Sequence, residues 1–183
     1  MVLDLLDLAK LDAGTADLKM SPVNMRVLLN SIAEKFSPQS QRAGVKIETD
    51  IPGDLPPLIA DGDRMAQVFT NLTDNALKFT LAGGVVILRA FVEMDKMHIA
   101  VADTGAGIPE EDLPHIFQRF YQTDPARKGG EAHGAGLGLA IAHEIVAAHS
   151  GRISVRSRVG AGTTMEVILP LAPPNVTQAA RKK

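Results

Sequence analysis

Apolar side chains return at helical spacing along residues 63–79, where Met65, Val68, Phe69, Leu72, Ala76 and Phe79 form one core-facing stripe. Beside it, roughly a quarter turn around at about 100° per residue, Gln67, Asn71, Asn75 and Lys78 form a polar stripe. In any single amphipathic helix such a flank is ordinary, so it gains meaning only if other parts of the chain converge on it. Upstream, residues 1–13 put Val2, Leu5, Leu6 and Ala9 on one face before Gly14, which predicts a short helix in want of a partner. A second helix is expected over 24–36, after Ser21-Pro22. Residues 45–51 alternate as a strand, and Pro52-Gly53 with Pro56-Pro57 punctuate the chain before the asparagine-bearing helix.

Two more strands, 84–92 and 97–102, meet across Met94-Asp95-Lys96 as a hairpin. A long stretch rich in Gly, Pro and polar residues follows, 103–136, with short helical pieces expected at 110–116 and 117–121; loops of that length are usually functional or disordered. Residues 137–149 read as a helix stopped by Gly151, and 152–157 with 163–169 as a closing hairpin. Residues 173–183 read as a frayed tail.

The 183 residues, 45% of them hydrophobic, suffice for one sizeable α+β domain with an appendage. Lys and Arg total 19 against 21 Asp and Glu, and no basic block forms, which argues against a nucleic-acid partner. There is no cysteine, so disulfides and thiolate zinc sites are excluded and a reducing compartment suits the chain. Apolar runs such as 85–88 fall far below the ~20 residues of a membrane helix, and no charged-then-apolar leader opens the sequence, so this segment is expected to be soluble.

Two loops carry chemistry. Asp103-Thr104-Gly105-Ala106-Gly107-Ile108-Pro109 follows an apolar strand, and a carboxylate there can accept a hydrogen bond from a ligand that the glycine backbone approaches closely. A plain Asp-x-Gly turn would explain the same letters. Gly134-Ala135-Gly136-Leu137-Gly138 opens a helix, where backbone N–H groups and the helix dipole can face a phosphate. It is neither G-x-G-x-x-G after a strand nor a P-loop. His143-Glu144 with His149 has the spacing H-E-x4-H, which turns the second imidazole about 120° from the first and removes the zinc-protease reading. His98, His115 and His133 fit structural or solvated roles.

In order, NLTDNALKFT, DTGAGIP, IFQRFY and GAGLGL resemble the N, G1, F and G2 boxes of sensor histidine kinases, whose ATP-binding domain belongs to the superfamily of gyrase, the Hsp90 chaperones and MutL. LLDLAKLDAG resembles the end of the second helix of the kinase dimerisation hairpin, and the resemblance runs over roughly residues 1–171. It implies a two-layer α/β sandwich: a mixed, largely antiparallel sheet with three main helices on one face, preceded by the short N-terminal helix. The division it implies is a hairpin end at 1–14, a catalytic ATP-binding domain at 15–172 and a tail at 173–183.

The resemblance also implies roles. Asp103 would hold the adenine amino group, with Gly105, Gly107 and Ile108 lining the base. Asn75, helped by Asn71, would bind Mg²⁺, and Lys78 would neutralise phosphate. Phe117 and Phe120 would anchor a lid over 109–133, Arg119 would reach phosphate or the docked partner, and Gly134, Gly136, Leu137 and Gly138 would cradle phosphate. Arg127 and Lys128 are weaker phosphate contacts, better read as solvated.

ATPases and serine kinases of the superfamily carry a glutamate base where this chain has Asn71. Water and serine need that base, whereas neutral imidazole has a free lone pair near pH 7, so Asn71 favours a histidine acceptor. The family carries that acceptor as His-Glu or His-Asp on the first hairpin helix, upstream of this chain. His143-Glu144 is a decoy, and the chain is expected to bind Mg-ATP without labelling itself. A nucleotide-binding pseudokinase, and behind it a stand-alone ATPase, are the competing readings. Expected partners are the histidine hairpin and a response-regulator receiver domain. The whole protein is expected to be a homodimer, its catalytic domain cytoplasmic even if other segments meet a membrane. Gln118 and Ala135 depart mildly from the family pattern at the lid.

Overall fold

The computed structural model describes residues 17–122 and 136–171. The expected N-terminal helix, His133, Gly134, Arg127, Lys128 and the tail at 173–183 lie outside the described residues.

The described elements are β1 Met20–Val23, α1 Met25–Ala43, β2 Lys46–Asp50, β3 Leu58–Asp61, α2 Gly62–Phe79, β4 Val85–Glu93, β5 Lys96–Asp103, α3 Gly138–Ala148, β6 Arg152–Arg158 and β7 Gly162–Pro170. Five strands form a mixed sheet in the order β2-β4-β5-β7-β6, with β2 parallel to β4 and the other neighbours antiparallel. Alternation sets its faces. Val86, Leu88 and Ala90 of β4, Met97, Ile99 and Val101 of β5, and Met165, Val167 and Leu169 of β7 are buried. Onto that face pack α1 over β2 and β4, α2 over β4 and β5, and α3 over β6, with α2 between the other two helices. The expected two-layer sandwich is the fold observed. Leu72 and Phe69, both essentially inaccessible, sit at its centre, and truncating either to alanine costs about 2–5 kcal/mol.

Three features differ from the sequence reading. First, α1 runs past Phe36 and through Pro38 to Ala43. Gly44, left-handed at φ 65°, supplies the actual stop, while buried Phe36 and Ser40 hold the extra turns against the core despite the N–H that proline lacks. The start matches better, because Asn24 caps the helix by accepting from the Val27 N–H at 3.1 Å. Second, residues 20–23 are not merely a lead-in: they pair antiparallel with β3 in a separate two-stranded sheet, where Pro22 is tolerated on an edge. Third, residues 110–121 form successive turns rather than helices. Their bonds close at three residues, as in Asp112 N–H to Pro109 O (3.0 Å) and Gln118 N–H to His115 O (2.8 Å), and Pro114 has no N–H with which to continue a helix.

Candidate functional site

Helix α2 presents the polar stripe on the flank predicted for it. Asn71 is half-buried and its Nδ2 donates to the Gly138 carbonyl at 3.0 Å, which spends the amide's donor end and leaves Oδ1 as a bare oxygen. Asn75, one turn on and also half-buried, has no hydrogen-bond partner among the described residues. Lys78 pairs with Asp74 one turn before it at 2.5 Å. Both side chains are about one-third exposed, and a helical pair of this spacing is worth only about 0.3–0.5 kcal/mol, so the ammonium is easily drawn to a stronger anion. Gln67 accepts from Arg64 Nη1 at 3.0 Å and belongs to the helix surface rather than to the site.

Asp103 is the last residue of β5. Its Oδ1 accepts the N–H groups of Gly105 (2.8 Å) and Thr163 (3.2 Å), while Oδ2 has no partner among the described residues. Burial pushes this carboxyl above the usual aspartate range, and the two N–H donors offset only part of the shift. A half-buried carboxylate with one oxygen fixed by backbone and one idle is arranged to accept from a ligand.

The glycines of this loop serve a closer purpose than expected. A Cβ on Gly105 would stand 2.3 Å from the Phe79 carbonyl, and one on Gly107 (φ 72°) 2.1 Å from that of Arg158. The loop is therefore pressed against the protein's own backbone on both sides. Ala106 N–H donates to Phe79 O at 3.1 Å, and Gly160 N–H donates to Ala106 O at 2.8 Å. Ser157 and Thr163, which sequence reasoning missed, complete the clamp. Ser157 Oγ accepts from Ile108 N–H at 2.8 Å, donates to Gly162 O at 2.9 Å and lies 2.8 Å from Thr163 Oγ1. Their only signal is register: Thr163 stands opposite Asp103 across β5 and β7, and opposite Ser157 across β6 and β7.

Beside the middle of α2, Leu137 is buried and precedes α3, whose first turn has no side-chain cap among the described residues. Gly136 (φ 68°) accepts the Phe120 N–H at 3.0 Å, and a Cβ there would stand 2.9 Å from Phe120 C and Tyr121 O. Phe117 packs against the core with its ring 5.6 Å from that of His143. Phe120, by contrast, presents its ring outward from the described core. Its backbone is left-handed (φ 62°), its side chain is 60% exposed, and among the described residues its N–H is held by Gly136. Arg119 already engages a partner within the protein. His143 pairs with the adjacent Glu144 at 3.1 Å, and no cluster of three His, Cys, Asp or Glu suited to a metal occurs among the described residues.

The described site residues thus sit along one helix. The Asp103 loop is bound to Phe79 at the C-terminal end of α2, and Gly138 to Asn71 eight residues back, about 12 Å at 1.5 Å per residue. An extended nucleoside triphosphate can bridge such a span, base at the carboxylate and phosphates at the glycine-flanked helix start.

A family model described as histidine kinase-, DNA gyrase B-, and HSP90-like ATPase matches residues 60–173. The adaptive-response sensory kinase SasA of Synechococcus elongatus is 34% identical over 172 residues, covering 93% of this chain and 44% of that protein. A crystal structure of full-length ShkA in complex with AMPPNP superposes with a TM-score of 0.83 at 35% identity, over 94% of this chain and 35% of that one. The catalytic domain of histidine kinase ThkA gives a TM-score of 0.74 at 25% identity, covering 85% of this chain and 97% of that one. The chain spans less than half the length of the curated relatives it matches.

Proposed function

Because the chain belongs to the histidine kinase-, DNA gyrase B- and HSP90-like ATPase family, as a catalytic ATP-binding domain of the sensor-kinase type, we propose that it binds Mg-ATP between α2 and the lid and passes the γ-phosphoryl group to a histidine outside its described residues. The observation that carries this reading is the idle Oδ2 of Asp103, tied through its loop to the end of the helix whose middle meets the start of α3. Asp103 accepts from the adenine amino group. Lys78, released from Asp74, and the open first turn of α3 face the phosphates.

The donor set fits a hard cation. Asn71 keeps Oδ1 free because Nδ2 is bound to Gly138, and Asn75 is unengaged, so the two carboxamide oxygens would hold Mg²⁺, which shares the phosphate charge. Asn71 cannot take a proton, which suits an imidazole acceptor that needs no base and disfavours water or serine. Among the described histidines, His149 is buried with both ring nitrogens engaged, and His98 lies on the sheet face away from the helices. By likeness to the family, the acceptor is a histidine on a dimerisation hairpin, in the same or the partner chain of a homodimer, with a receiver domain as the onward recipient. No helix among the described residues is long and apolar enough to cross a membrane, and a domain that draws on ATP works in the cytoplasm.

The test is transfer of label from γ-labelled ATP to a separately supplied histidine hairpin. Label is expected on the hairpin with the wild-type chain, absent with Asn75→Ala, and absent from this chain alone. Label mapped to any of the chain's five histidines would overturn the reading.

A further inference from the structure

Helix α2 is held at its start by a residue that the nucleotide site does not use. Asp61 is 6% exposed and meets three parts of the chain at once. Its Oδ1 caps α2 by accepting from Arg64 N–H at 3.1 Å, and its Oδ2 accepts from Lys19 N–H at 2.9 Å, just before β1. Its own N–H donates to His149 Nε2 at 3.0 Å, at the end of α3. That bond makes Nε2 the acceptor, so Nδ1 carries the proton and gives it to Ile145 O at 2.7 Å. The imidazole is fully spent in joining the end of α3 to the start of α2.

A helix cap needs one accepting oxygen. Asp61 uses both, the second on the chain entering the domain, a pair of duties that asparagine, with one accepting oxygen, cannot perform. From there Met20–Val23 runs along Leu58–Asp61 in continuous register. Ten residues along α2 from Asp61, about 15 Å, Asn71 donates to Gly138 at the opposite end of α3. Helix α3 is thus pinned at both ends, to the start and to the middle of α2, and one pin is shared with the entering chain.

We propose that Asp61 is a positioning residue that locks the segment entering at Lys19 to α2 and, through His149, to α3, so that displacement of the chain before Lys19 resets Asn71 against Gly138 and changes nucleotide affinity. Only that last step rests on the proposed function. Coupling of this kind is reciprocal, so bound nucleotide also tightens the Lys19 amide.

Lys19→Pro deletes the donated N–H and leaves Asp61 intact, whereas Lys19→Ala keeps the N–H and removes only the side chain. Amide exchange is measured on both variants and on wild type without nucleotide, followed by titration with a non-hydrolysable ATP analogue and Mg²⁺. Lys19→Pro is expected to speed exchange at Asp61, Arg64 and Gly151 and to weaken binding about 5-fold, the low end of coupling between sites. Lys19→Ala is expected to match wild type in both measurements. Asp61→Asn provides a second variant with the same signature. Faster exchange confined to residues 18–23, unchanged affinity in Lys19→Pro, or equal effects of Pro and Ala would overturn the proposal. If wild type binds no nucleotide, the proposed function fails, and the exchange comparison still decides whether the entry segment is locked to α2.

Discussion

Replacing Asp103 by asparagine separates what the carboxylate does for the fold from what it does for a ligand. Oδ1 holds the Gly105 and Thr163 N–H groups, and an amide oxygen in its place can still accept both. The change falls on the idle position, where the acceptor Oδ2 becomes a donor NH₂. Burial raises the Asp103 pKa above 3.8, so the folded state holds the proton more tightly than the unfolded chain. The group's contribution to stability is therefore present below the unfolded value and lost as pH rises through the folded one. Neutral asparagine never incurs that loss, so at pH 7 Asp103→Asn is expected to melt at or above the wild-type temperature, and the difference shrinks as pH falls toward 4.

Binding moves the other way. A hydrogen bond to a charged acceptor is worth about 1.5–3 kcal/mol, so ATP-analogue affinity is expected to fall roughly 10- to 150-fold. The new donor faces the 6-carbonyl of guanine without conflict, so the ratio of ATP to GTP affinity is expected to drop further than ATP affinity's competition with GTP alone would suggest. Calorimetric titration and thermal melts on the same preparations check both halves. A melting temperature lowered by about 3 °C or more, roughly 1 kcal/mol for a chain of this size, together with unchanged ATP affinity, would refute the reasoning.

Other substitutions probe the frame around the site. Thr73 is fully buried on α2 with no hydrogen bond to its Oγ1 among the described residues, so the near-isosteric Thr73→Val is expected to stabilise by about 1–3 kcal/mol in denaturant unfolding; a loss of stability would mean the hydroxyl has a partner. Gly107→Ala places a methyl against the Arg158 carbonyl at positive φ, and a destabilisation exceeding about 1–2 kcal/mol is expected by the same assay; a neutral result would show that the loop is free to shift. Lys78→Ala breaks only a partly exposed one-turn pair with Asp74, so stability should change by less than about 0.5 kcal/mol while affinity falls more for the triphosphate than for adenosine; equal losses would remove Lys78 from the phosphate end.

Much of this was legible in the sequence because period carries it. The stripe Met65, Val68, Phe69, Leu72 fixed the buried face of α2 and so the flank on which Asn71 and Asn75 stand. The alternation in β4, β5 and β7 likewise announced the sheet. What escaped depends on contacts distant in sequence. Thr163 and Ser157 read as ordinary strand residues until strand register brings them beside Asp103. Gly105 and Gly107 announced a close approach without saying what approaches, and the answer in the structure is the chain's own backbone. The β1–β3 pair was hidden by Pro22, which reads locally as a helix opener, and the length of α1 by Pro38, which burial of Phe36 and Ser40 overrides. The exposure of Phe120 was equally illegible, because nothing in the local letters announces its left-handed backbone.

The most direct test of the central claim is calorimetric titration of wild-type chain with non-hydrolysable analogues of ATP and of GTP, each with and without Mg²⁺. The geometry predicts binding of the ATP analogue, strengthened by Mg²⁺ and far weaker for the GTP analogue, since Asp103 offers an acceptor where guanine also has one. Equal affinity for the two bases, or no binding of either by folded protein, would contradict it.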